Sequence, residues 1–147
     1  MRLFRRNLFI LLVTLLILPG LHSYVNAEER NDCILCGMYL PNYTHVKYTV
    51  TDTAGKKYVT CGVQCGLILQ LNLKKKFQSA TMTDLLSHKS IPAEKGWYVY
   101  KSSVITDMAP GLIGFRDKSR AEQFIKGFGG ELINYQQALE KAKAGLP

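Results

Sequence analysis

Apolar and polar positions alternate from His45 to Thr51 (His-Val-Lys-Tyr-Thr-Val-Thr), a run rich in β-branched and aromatic residues, and this predicts a strand. Asp52-Thr53-Ala54-Gly55 predicts a turn, and Lys56 to Thr60 the returning strand of a hairpin. The period then changes. Gly62 to Leu73 carries apolar residues at Leu67, Ile68 and Leu71, a helical spacing. Strands are predicted again at Gly96 to Tyr100, where Trp97, Tyr98 and Tyr100 read as strand core, and at Leu112 to Phe115. Asp117 to Ser119 offer caps for a helix over Arg120 to Phe128, with Ala121, Phe124, Ile125 and Phe128 on one face and Gly129-Gly130 as its stop. Leu132 to Tyr135 reads as a last strand and Gln136 to Ala144 as a short polar helix. Strand, strand, helix, strand thus appears about twice, the second copy lacking the cysteines. The expected fold is α+β, two ββαβ units packed as one small compact domain, divided into residues 33–100 with all the cysteines and residues 101–147 without them. Met82 lies in a polar Ser/Thr-rich stretch and suggests no role.

The first 27 residues are excluded from that fold. A basic start (Arg2, Arg5, Arg6) leads into the apolar run Leu8 to Leu18, too short for a bilayer core that takes about 20 helical residues. Pro19-Gly20 breaks the run, and Val25-Asn26-Ala27 has the small residues of a cleavage site. Residues 1–27 read as a secretory signal peptide, with an uncleaved anchor as the other reading, and residues 28–147 as the exported domain of the periplasm or cell envelope. Cys33 lies beyond a polar spacer, Glu28 to Asp32, so acylation of a lipoprotein type is not expected.

Export changes the meaning of the charge. The 147-residue chain has 19 basic and 11 acidic residues, or +8. The leader holds three arginines and no acid, so the remaining 120 residues carry 16 against 11, or +5. A nucleic-acid partner is not expected. Lys56-Lys57 and Lys74-Lys75-Lys76 read as solvated faces, with an acidic partner or weak association with anionic lipid as the alternative.

All four cysteines lie in the exported part, as Cys33-x2-Cys36, 24 residues, then Cys61-x3-Cys65. Two disulfides and a metal site both fit an even set at these spacings. Cys61 is expected at a strand end and Cys65 four residues on, in the first turn of a helix whose free amides favour thiolate. Gly37 lets the chain curl after Cys36. Met108 stands in a loop marked by Pro110-Gly111, and Met38 directly follows Cys36-Gly37. Both are candidate soft ligands or gap-fillers. Thiolate with thioether selects Cu(I); four thiolates alone suit structural Zn(II) equally. His45 and His88 read as surface residues. A thiol–disulfide oxidoreductase using Cys33 and Cys36 is a further alternative, but Gly37, Tyr39 and Pro41 argue against the helix such a motif opens. No catalytic arrangement stands out, and a non-enzymatic protein is expected.

Several of these residues, in order, resemble the NosL family of nitrous oxide reductase accessory proteins. They are Cys33-Ile-Leu-Cys36-Gly37-Met38, Trp97-Tyr98-Val99, Asp107-Met108-Ala-Pro-Gly111-Leu112 with Gly114-Phe115, Ala121-Glu-Gln-Phe124 to Phe128-Gly129-Gly130, and Asn134-Tyr135-Gln-Gln-Ala138-Leu139. The resemblance implies an envelope copper chaperone of two ββαβ units, passing Cu(I) to the reductase maturation machinery, with Cys36, Met38 and Met108 as the positions that matter most. Cys61-x3-Cys65 also resembles the TRASH-type heavy-metal motif, which implies trafficking of zinc or another heavy metal as an alternative task. The expected metal ligands are Cys33, Cys36, Cys61, Cys65, Met38 and Met108.

Overall fold

The computed structural model describes residues 31–144, so the signal-peptide reading of residues 1–27 lies outside the described residues. Strand β1 (Tyr48–Asp52) turns into β2 (Lys57–Thr60), followed by helix α1 (Val63–Leu73) and strands β3 (Phe77–Thr83) and β4 (Ser90–Pro92). The second run is β5 (Trp97–Tyr100), β6 (Leu112–Phe115), helix α2 (Lys118–Phe128), β7 (Glu131–Asn134) and helix α3 (Tyr135–Ala144).

The two runs repeat one topology. Their sheets have the orders β2-β1-β3-β4 and β6-β5-β7, with antiparallel neighbours, so in each the first strand lies between the second and the third. The mixed α+β architecture of two units is therefore as expected. The division at residue 100 is corrected, because Trp97–Tyr100 is the central strand of the second sheet. Alternation identifies a strand but not its partners, and β5 pairs forward with β6 and β7. Strand β3 went unread because its inward residues are only Ala80 and Met82, set among exposed or half-exposed Gln and Ser/Thr. Strand β1 starts at Tyr48 rather than His45, since Val46 N–H bonds to Tyr43 O in a turn.

The hairpin turn is built by Asp52. Its carboxylate accepts the N–H groups of Ala54 and Lys56, both at 2.9 Å, and the Tyr58 hydroxyl at 3.0 Å. Helix α1 is buried over most of its surface from Val63 to Gln70 and fills the space between the sheets with α3. Gly66 permits this, because any Cβ there would collide with the Tyr48 ring. The main core joins Tyr48, Val50 and Met82 of the first sheet to Leu67 of α1 and to Tyr98, Leu112 and Ile133 of the second. The alternate residues Val99, Ile113 and Phe115 face a smaller core under α2. Strands β5 and β6 thus bury both faces, the alternation working twice.

Two features lock the units together. Met82, 1% exposed, lies in a gap left by Gly96 and Gly114 and is a core residue, although the sequence assigned it nothing. Asp84, just past β3, accepts the N–H of Arg116 just past β6, at 2.9 Å, and both the N–H and hydroxyl of Ser87.

Candidate metal centre

Cys33 and Cys36 lie on a loop that the backbone winds tightly before the first strand. Asp32 bridges Tyr39, and Leu40 N–H donates to Asn31 O at 2.7 Å. Inside it, Cys33 N–H donates to Met38 O and Gly37 N–H to Cys33 O, each at 2.8 Å. The reversal needs a positive φ, which Gly37 supplies at +74°. Cys61 directly follows β2, and Cys65 is the third residue of α1, so spacing by four puts both sulfurs on one side.

The four Sγ atoms all lie within 4.8 Å of one another. Cys36 is 3.4 Å from Cys61, and Cys61 is 3.7 Å from Cys65. All four are free thiols that form one group rather than two pairs. A tetrahedral ion with metal–sulfur bonds of about 2.3 Å separates its sulfurs by about 3.8 Å, so the group needs little adjustment to close on a metal. Met108 completes it from the far side of the sequence, its Sδ 3.5 Å from Cys65 Sγ. Cys33, Cys61 and Cys65 are buried and Cys36 is exposed. Met38, Leu40 and Tyr43 pack around the group. Met38 is therefore placed at its wall, and no histidine among the described residues belongs to it.

The repeat shows what makes this position special. Cys61 is the first residue after β2 and Cys65 the third of α1; the matching residues after β6 and in α2 are Arg116 and Arg120. The second unit reuses the strand-to-helix corner as a structural joint, with Asp84 on the Arg116 amide. Only the first has sulfur there.

Protons are shared unequally among the thiols. Hydrogen bonds from Cys61 and Cys65 stabilise a thiolate at Cys33 and lower its pKa against the opposing effect of burial. Cys61 and Cys65 keep their protons more tightly, first because they donate to Cys33 and then because they are buried. A soft cation entering the group finds the proton of Cys33 the easiest to displace and must displace those of Cys61 and Cys65 against stronger retention.

Asp107 is the neighbour that sequence reasoning passed over. It lies against Gly62, where an added Cβ would strike its carboxylate, and its Oδ2 is buried without a hydrogen-bond partner among the described residues. Burial raises its pKa, opposed by bonds from Thr106 and the Met108 amide. The only available signal was its place before Met108 in an ordered motif; nothing in sequence pairs it with Gly62.

A family model, NosL, matches residues 24–142. The crystal structure of the copper chaperone NosL from Shewanella denitrificans is similar with a TM-score of 0.64 and 24% identity, over 72% of this chain and 87% of that one, a likeness of fold. No curated protein matches.

Proposed function

This chain belongs to the NosL family, and we propose that it acts as a non-enzymatic copper chaperone of the cell envelope. It binds Cu(I) through Cys36, Cys61 and Cys65, with Cys33 and Met108 in support, and passes the ion to an acceptor metalloprotein. The observation that carries this reading is the Met108 thioether 3.5 Å from Cys65, beside four clustered thiols. Four thiolates already satisfy Zn(II), whereas an added thioether is a donor suited to Cu(I). Exposed Cys36 suits delivery, because an acceptor can displace ligands one at a time from the open side. The export signal read in residues 1–27 supports the envelope, and the family's link to nitrous oxide reductase supports its maturation machinery as the acceptor.

Anaerobic titration of the reduced protein with Cu(I) tests this. Sulfur-to-copper absorption should rise to a saturating stoichiometry and should weaken sharply in a Cys36→Ser/Cys61→Ser double variant, which is left with only Cys33, Cys65 and Met108. A featureless titration, or a double variant that binds normally, would refute it. The four-thiol geometry favours Zn(II) as the second reading. Competition between the two ions, with elemental analysis of protein taken anaerobically from its native envelope, decides between them.

A further inference from the structure

Five sulfur atoms converge at the site, whereas singly charged Cu(I) is satisfied by roughly two or three soft donors. The surplus has a particular arrangement. Cys36 is the one exposed thiol of the four, and Cys61, fully buried, is its neighbour at 3.4 Å. On the far side of the group, Cys65 touches Met108 at 3.5 Å, and Cys33 lies within 4.8 Å of Cys65. A hydrated ion arriving from solvent meets Cys36 first. In an oxidising compartment dissolved copper is Cu(II), which the cluster as a Cu(I) site cannot take up unchanged.

We propose that the reduced protein also reduces Cu(II) stoichiometrically, without turnover of its own, Cys36 and Cys61 donating the electrons while Cys33, Cys65 and Met108 retain the Cu(I) produced. The inference rests on the Cu(I) reading above and extends it to the form in which copper is captured. Two S–H bonds break and one S–S bond forms between Cys36 and Cys61. Two protons pass to solvent, and each of two Cu(II) ions gains one electron. One Cu(I) stays on the three remaining sulfurs, and the other leaves past the Cys36 loop to a soluble Cu(I) ligand. Closing the pair from 3.4 Å to a bond of about 2.05 Å requires loop movement, and the exposed Cys36–Gly37 corner is the part free to make it. The competing pair, Cys61 and Cys65 at 3.7 Å, is buried, and its oxidation would consume the thiol that Met108 touches. A thiol–disulfide exchange with a dithiol donor must then reset the protein.

The test mixes the full chain, reduced and metal-free, with two equivalents of Cu(II) under anaerobic conditions, beside a Cu(I)-selective chelator that the protein outcompetes. Paramagnetic resonance follows Cu(II), and mass spectrometry after alkylation maps the disulfide. The expected result is loss of both Cu(II) signals, one Cys36–Cys61 disulfide and one retained Cu(I). Cys36→Ser should slow reduction by at least about tenfold. Persistent Cu(II), a disulfide joining another pair, or a Cys36→Ser variant as fast as the parent overturns the proposal. A parallel arm supplies copper as Cu(I). If the parent takes up that copper yet leaves Cu(II) unreduced, only this inference fails; if it takes up none, the chaperone reading fails as well.

Discussion

The thioether of Met108 and the thiol of Cys65 meet at 3.5 Å although 43 positions separate them in the chain. Met108→Leu keeps the volume and removes the soft donor. Cu(I) affinity should fall about tenfold, about 1.4 kcal/mol, with a smaller change for Zn(II). Competition against chelators of known affinity measures both. An equal loss for the two metals would make Met108 packing alone.

Gly62 and Asp107 test how that methionine is positioned. A methyl group at residue 62 must push the Asp107 carboxylate away, and the Met108 loop with it. Gly62→Ala should cost about 1–3 kcal/mol by overpacking and should also weaken Cu(I) binding. The Gly62→Ala/Asp107→Ala double variant should recover much of the stability, because the clash is gone and with it a buried carboxylate oxygen that lacks a partner among the described residues. Chemical denaturation of the four proteins gives the coupling; simple additivity would show that the two residues do not meet.

Asp84 should govern stability in acid. Burial alone would raise its pKa, but the Ser87 and Arg116 donors outweigh it and hold the carboxyl below its ordinary value. With the folded pKa depressed, the unfolded chain binds the proton more readily, so the contribution is complete above about pH 4 and fades as pH falls through the folded value. Asp84→Ala removes the charged acceptor shared by the Ser87 and Arg116 N–H groups and should destabilise by about 1–3 kcal/mol at neutral pH. Denaturation midpoints from pH 7 to pH 3 should fall more steeply for the parent than for this variant; parallel curves would contradict the assignment.

Met82 offers a contrast between stability and metal binding. It fills the gap left by Gly96 and Gly114 between the two sheets and lies outside the sulfur group. Met82→Ala should cost about 2–5 kcal/mol through the cavity it leaves. Cu(I) stoichiometry of the protein that remains folded should be unchanged. Loss of stoichiometry at a temperature where circular dichroism still reports a folded state would show that the core and the site are coupled.

Local signals wrote much of this protein into its sequence. Alternation around Tyr48 and Val50, the Asp52–Gly55 turn and the apolar spacing of Leu67, Ile68 and Leu71 act over a few residues, so β1, β2 and α1 could be read directly. The four cysteines were legible as candidates for the same reason: C-x2-C and C-x3-C each place two sulfurs on one short segment. Strand β3 was not legible, because Ala80 and Met82 are inward only by virtue of what packs on them.

Which segments meet was a different question. Two disulfides and one metal site are equally compatible with the spacing, and only the packing of the Cys33–Met38 loop against the β2–α1 corner gathers all four sulfurs within 4.8 Å. The same holds for Met108 beside Cys65, Asp107 against Gly62 and Asp84 across to Arg116. Sequence determined the local elements and the chemical types of the donors, since propensity and periodicity act between near neighbours. Tertiary structure alone decided the sulfur group, the exposure of Cys36 and the joint between the units, because these depend on contacts between residues about 25 to 43 positions apart, whose burial no local pattern encodes.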